Sequence, residues 1–176
     1  MKQLTALLLC AALILSACAA KTEPLHKPAT FYYRTVRATY DGSTPIIASE
    51  ERESALFGDD MVQLLNNYFS GPVSETLVSP FPKNLKVSSY STLGSTVMLE
   101  LSSEFAQLSG LGLTIACACI ASTVLSVPGF EQIQISAANS QLDGQRNIML
   151  NRDSILLLDL APESAAAADT TADTTE

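Results

Sequence analysis

The chain is 176 residues long and carries 10 Lys and Arg against 18 Asp and Glu, a formal charge of −8. That balance excludes proteins whose binding begins by neutralising phosphates, whether of nucleic acid or of an anionic lipid surface. Hydrophobic residues make up 47%, enough for one core of ordinary size, while a single His and no Trp narrow the chemistry a folded site could perform.

Met1-Lys2 is a short positive start, and Leu4 to Leu15 is an apolar run that ends in Leu15-Ser16-Ala17-Cys18. The run fits a signal h-region and is too short to cross a bilayer as a helix. Small residues directly before a cysteine resemble the lipobox of bacterial lipoproteins. The resemblance implies that residues 1–17 are a signal peptide cut before Cys18. Cys18 would then carry a diacylglycerol on its thiol and an acyl chain such as palmitate on its new N-terminus. Two or three chains anchor a protein far better than one. The expected location is the extracytoplasmic face of the cell membrane. The alternative is a plain secretory signal cut at a nearby Ala, with Cys18 incidental.

Residues 18–30 are polar, contain Pro24 and Pro28, and read as a flexible tether. Phe31 to Tyr40, rich in aromatic and β-branched residues, predicts a strand. Asp41-Gly42-Ser43 is a turn signal, with Pro45 to Ser49 as a short return strand. Glu50 to Phe57 is charged and ambiguous. Asp60 then caps a helix, with Gln63 in capping-box position, whose apolar face is Met61, Leu64, Leu65, Tyr68 and Phe69. Gly71-Pro72 ends it. Ser79-Pro80-Phe81-Pro82 is a stiff extended step.

Leu85 to Tyr90 and Ser95 to Leu101 predict a hairpin turning at Leu93-Gly94. Ser102 and Glu104 sit where a helix start could use a hydroxyl and a carboxylate. Leu108 to Val127 reads as a buried core helix closed by Pro128-Gly129. It is not read as a membrane span, because glycines and hydroxyls interrupt it and no basic flank orients it. Phe130 to Ser136 alternates with Ile133 and Ile135 inward, Asn139 to Asn147 is loop, and Ile155 to Leu158 predicts a last buried strand. Residues 161–176 form an acidic Ala/Thr tail with nothing large to bury, expected to be disordered. The expected fold is a small single α+β domain over residues 31–160, an antiparallel or mixed sheet packed against two helices.

No catalytic apparatus is visible. His26, the only histidine, lies in the tether, so the folded part has no imidazole for nucleophilic catalysis or zinc. Cys117 and Cys119 are two apart and on a helix would point about 200° from each other, which suits small core residues better than a metal site or a disulfide. Glu100 and Glu104 are four apart across a strand end, where a paired-carboxylate site is possible but a capping role for Glu104 is simpler. Glu50, Glu51, Glu53, Asp59 and Asp60 lack the alternation of a calcium loop and read as a solvated face with a helix start. Tyr32, Tyr33 and Tyr40 could stack on sugar rings, although an aromatic strand more often packs across strands. No metal, cofactor or catalytic residue is assigned, and a ligand-binding residue is unknown.

Several stretches between Ile46 and Ile135 follow a shared order: Leu64-Leu65-Asn66-Asn67-Tyr68-Phe69-Ser70-Gly71-Pro72, Leu77-Val78-Ser79-Pro80-Phe81-Pro82, Leu85 to Tyr90 with the Gly94 turn, Val97 to Phe105, and Thr123 to Ile135. This layout resembles the GerMN domain of sporulation and germination lipoproteins. The hairpin lacks the acidic residue often beside its Gly, the core helix is poor in polar residues, and one copy is visible where some members carry two. The resemblance implies a compact domain similar to ring-building motif domains, with no active site to carry over. The expected role is therefore a non-catalytic binding or scaffold module in the cell envelope, docking on envelope or sporulation-complex proteins or on itself. The alternatives are a lipoprotein that binds peptidoglycan or another glycan, and a carboxylate-based envelope hydrolase.

Overall fold

A computed structural model of the chain describes residues 28–36, 45–53 and 60–156. The expected signal peptide, Cys18, His26, Tyr40, the Asp41-Gly42-Ser43 turn, Asp59 and the acidic tail lie outside the described residues. So do Cys10 and most of the tether.

The first strand, β1 (Pro28–Thr35), starts before the expected Phe31 because its pairing with β2 (Ile47–Glu53) runs back to Pro28 opposite Glu53. The first half of the ambiguous charged stretch, Glu50 to Glu53, is therefore the second half of β2. Its Glu50 and Arg52 turn inwards while Glu51 and Glu53 face solvent, the two-residue period of a strand. A two-residue strand, β3 (Leu77–Val78), flanks the other side of β1, so the first sheet has the order β2-β1-β3.

Helix α1 (Met61–Phe69) begins as its sequence demands: the Asp60 carboxylate accepts from the N–H groups of Val62 and Gln63 at 2.9 and 3.2 Å. Leu65, Tyr68 and Phe69 are buried, with Met61 and Leu64 packed at their margin. Gly71 then takes φ +107°, open to glycine and costly for other residues. Phe31, Tyr33, Tyr68, Phe69 and Phe81 form one aromatic cluster. Ring centroids are 4.9 Å apart for Tyr33–Tyr68 and Tyr68–Phe81, and 5.1 Å for Phe69–Phe81.

The hairpin of β4 (Val87–Leu93) and β5 (Thr96–Leu101) closes through the pair Leu93–Thr96, with Gly94 at φ +60°. One positive φ, at the first of two turn residues, is the requirement of a type II′ turn. Strand β6 (Gln132–Ala137) lies parallel to β5, and β7 (Ile148–Asn151) antiparallel to β6, so the second sheet is mixed with the order β4-β5-β6-β7. The fold is α+β as expected, but its strands make two sheets rather than one.

Between β5 and β6 runs a 3-10 turn (Ser103–Gln107) and then helix α2 (Gly110–Leu125). The expected helix start at Ser102 is met in part, since a 3-10 turn begins there with Glu104 in its first turn. Ser102 Oγ makes no cap bond and instead accepts from Lys86 N–H at 3.1 Å, and the long helix starts only after Leu108 leaves helical geometry. Helix α2 packs on β1 of the first sheet and on β6 and β7 of the second. Seven consecutive positions, Ile115 to Ala121, are buried, because a helix enclosed on all sides is apolar all round. Small Ala and Cys side chains let its neighbours approach. No described helix is long and apolar enough to cross a membrane.

Both ends of α2 are met by charges from the last third of the chain. The Asp143 carboxylate accepts from Gly110 N–H at 2.7 Å, and Arg152 donates to the Leu125 carbonyl. An anion at the N-terminus and a cation at the C-terminus complement the helix dipole. The expected buried strand at Ile155 to Leu158 is a correction: β7 lies earlier, and Arg152–Leu156 is a short helix, α3. Asn151 Oδ1 accepts from the Ser154 N–H at 2.8 Å and its hydroxyl at 2.7 Å, starting a helical turn where apolar content alone predicted a strand.

Candidate functional site

The densest polar arrangement among the described residues is where β1, β2, α1 and the loop after α1 meet. Arg52 pairs with Glu50, and the exposed fractions of these side chains are only 15% and 11%. Its guanidinium donates to the Gly71 carbonyl at 2.6 Å, to Tyr33 Oη at 3.0 Å and to Asn67 Oδ1 at 3.3 Å. It also lies 4.9 Å from the centre of the Phe31 ring, within cation–π range. Glu50 in turn accepts from Val73 N–H at 3.1 Å and Ser74 N–H at 2.9 Å. Burial opposes ionisation of Glu50, but the bonds from Ser74, Arg52 and Val73 outweigh it and hold its carboxyl below the ordinary value.

This overturns the reading of Glu50 as part of a solvated acidic face. Glu50 is an acceptor that ties the loop after α1 to the first sheet; Glu51 and Glu53 remain on the surface. The signal was the intervening Arg52: Glu-Glu-Arg-Glu on a strand puts Glu50 and Arg52 on one face.

Tyr33 is likewise corrected as a candidate for stacking on sugars. It is fully buried and donates its hydroxyl to the Tyr68 carbonyl at 2.7 Å. Burial, against the pull of Arg52, pushes its phenol far above the ordinary value. Tyr68 is also wholly buried, its phenol raised chiefly by burial, and donates to the Tyr32 carbonyl at 2.5 Å. Tyr32 N–H donates to Thr123 Oγ1 at 2.9 Å, tying β1 to α2. Only Tyr32 of the three strand tyrosines keeps an accessible side chain within the described residues.

The remaining candidates are not brought together into a reactive site. Glu100 points away from the core on β5, opposite Ser89 and Ser136. Glu104 sits in the 3-10 turn, its carboxyl held low first by the Ser102 hydroxyl and then by its own N–H. Cys117 and Cys119 are buried and not disulfide-bonded; burial pushes the Cys117 thiol up to about 12 and the Cys119 thiol higher still. Thiols so placed are inert packing groups. Among the described residues no group of His, Cys, Asp and Glu could hold a metal.

The surface offers concavities of a different kind. An apolar cavity of about 410 Å³ lies among Leu113, Cys117, Leu142, Ile148, Leu150 and Ile155. A groove of about 680 Å³ runs beside Tyr90, between Met61, Val62 and Leu64 of α1 and Val127 and Phe130. Each is lined mainly by apolar side chains with a single carboxylate, Asp143 in the first and Asp60 in the second.

A family described as Germane, sporulation and spore germination, matches residues 30–143. Among solved structures, the chain is similar to the tandem GerMN domains of the sporulation protein GerM from Bacillus subtilis. The TM-score is 0.57 at 18% identity, covering 77% of this chain and 49% of that one. The chain thus spans about half the length of that tandem structure. It is also similar to a candidate lipoprotein from Clostridium perfringens, at 19% identity over 76% of this chain and 92% of that one, with a TM-score of 0.47. No curated protein sequence matches it. The matched residues run from β1 through α1, α2 and the strands up to β6 as far as Asp143, and the chain belongs to the Germane family of sporulation and spore germination.

Proposed function

We propose that this protein is a lipid-anchored, extracytoplasmic docking module of the cell envelope, working in sporulation or germination without catalysing a reaction. The observation that carries the reading is the family match over residues 30–143 behind a leader ending in Leu15-Ser16-Ala17-Cys18. The fold likeness to tandem GerMN domains supports the architecture. The fate of the polar groups supports a non-catalytic role: in the strongest constellation Arg52 and Glu50 bond to Tyr33, Asn67, Gly71, Val73 and Ser74 and hold β2 and the loop after α1 in place. In this reading Cys18 carries the lipid, residues 19–27 let the domain stand off the membrane, and the domain surface meets its partner. The partners are envelope or sporulation-complex proteins, or further copies of the chain.

Phase separation in detergent tests the anchor. The native protein is expected in the detergent phase and Cys18→Ser in the aqueous phase; a Cys18→Ser protein that stays with detergent contradicts it. Incubation with isolated cell wall tests the glycan alternative. Retention that is lost on Tyr32→Ala, with the fold intact, would replace protein docking by peptidoglycan binding. Loss of a wall-digesting activity in Glu100→Gln or Glu104→Gln would replace it by hydrolysis.

A further inference from the structure

Among the described residues, the free edges of the two sheets are not alike. On the first sheet, β2 carries Glu51 and Glu53 along its length and β3 is two residues long. On the second, β7 stops after four residues and passes straight into α3. Charge, shortness and abrupt termination are the usual guards against another strand adding to an edge. The remaining edge, β4, has none of them beyond its first turn. It is seven residues long, Val87-Ser88-Ser89-Tyr90-Ser91-Thr92-Leu93, with no charge and no proline. At its base a β-bulge and Asn66, whose Oδ1 accepts from Val87 N–H at 3.0 Å, occupy the edge. From Ser88 onwards the strand is largely exposed, and Leu93 is 73% exposed.

We propose that the outer edge of β4 docks a second copy of this chain, β4 against β4 in antiparallel fashion, centred on Ser91. The proposal rests on the docking reading above and names the surface and the partner. The hairpin closes on the pair Leu93–Thr96. Alternation along an antiparallel ladder then turns the backbone groups of Leu93 and Ser91 towards β5 and those of Tyr90 and Thr92 outwards. The outward bond of Val87 to Asn66, past the bulge, agrees with this count. Centring two such strands on Ser91 sets Tyr90 of each copy opposite Thr92 of the other, each pair exchanging both backbone bonds. It also sets Leu93 opposite Ser89.

Local charge, not net charge, favours this occupant. Each copy carries −8, so Glu51 and Glu53 of β2 would add repulsion between copies, whereas β4 is uncharged. The antiparallel order also brings the exposed Lys86 at the base of one strand towards the hairpin end of the other copy, where Glu131 accepts from Ser95 Oγ at 3.1 Å. The two ends of β4 are thus complementary to each other, as a two-fold interface requires. On the inner side, Tyr90 is one wall of the groove it shares with Met61, Leu64 and Phe130, so inward side chains of an added strand meet apolar surface.

A single engineered cysteine reads the register. In the full chain expressed in its own membrane, Ser91→Cys is expected to form a homodimer disulfide on mild oxidation, because the two-fold places residue 91 opposite itself in a non-hydrogen-bonded pair. Val73→Cys, 79% exposed but remote from β4, shares the native cysteines and is expected to stay monomeric. Adding Thr92→Pro removes an outward N–H for which the described residues supply no acceptor, a place where an edge strand accepts proline. It is expected to cut the Ser91→Cys dimer at least about tenfold while leaving the circular dichroism spectrum unchanged. Equal dimer yields from Ser91→Cys and Val73→Cys overturn the proposal. So does a dimer that survives Thr92→Pro in a folded protein. A Ser91→Cys adduct to a different protein overturns the second copy as occupant but leaves the docking function standing, which fails separately if no protein is captured at any surface position.

Discussion

The two sheets are held to the same central helix by different physics. The four-stranded sheet shares one core cluster with α2 through Val97, Leu99, Leu101, Ile133 and Ile135, all aliphatic and essentially inaccessible. The three-stranded sheet meets it through Tyr32 and Thr123, and meets α1 through stacked rings, phenol hydroxyls and the Arg52–Glu50 pair. The first kind of contact tolerates small shifts and depends on volume. The second depends on each partner being present, since a polar group left alone inside costs more than the bond it made. Within the first sheet β1 and β2 share a seven-pair ladder and β3 adds two residues; side-chain bonds tie this sheet to α1 and α2.

The largest expected effect comes from the dry side. Ile120→Ala, at a wholly buried position of α2, is expected to cost about 2–5 kcal/mol through lost burial and a residual cavity, read from chemical denaturation. A cost near zero would mean the helix is not the shared core. On the wet side, Arg52→Met keeps much of the volume but strands Glu50 and three other acceptors. A loss of about 2–3 kcal/mol is expected, below the usual cost of breaking a buried pair because both side chains keep some exposure. If Arg52→Met were neutral, aromatic packing alone would hold the first sheet and the contrast would collapse.

Acid separates the two sides further. Glu50 has its carboxyl lowered from 4.5 in the folded state. Its contribution is therefore full above that value and is lost as pH falls below 4.5 through the lowered native value. Glu104 moves in the same direction, so Glu50→Gln is expected to flatten part of the acid-side slope of stability rather than all of it. At neutral pH Glu50→Gln is expected to cost about 1–2 kcal/mol. An unchanged acid slope would show that Glu50 is already protonated or unpaired in the native state.

Much of the dry side is legible in sequence. Helical spacing finds the buried face of α1, strand alternation finds Ile133 and Ile135, and a charge-free run of small residues finds α2. What escapes is held by long-range polar contacts. Asp143 and Arg152 cap α2 from positions far along the chain, and Glu50 looks like surface until Arg52, Val73 and Ser74 are placed around it. Tyr33 reads first as a packing residue and only second as a platform for sugars, and its burial, with its hydroxyl bonded inside the aromatic cluster, decides for packing. The last strand is misplaced because Asn151 and Ser154 start a helical turn in an apolar stretch.

The central claim is that the domain acts by docking on protein at the outer face of the membrane. Cross-linking in intact cells, during growth and during sporulation where it occurs, tests it most directly, with captured proteins identified by mass. The account predicts envelope or sporulation proteins, or multimers of the chain itself, recovered from the native protein and lost with Cys18→Ser. Recovery of wall fragments alone, with no protein at either stage, would contradict it.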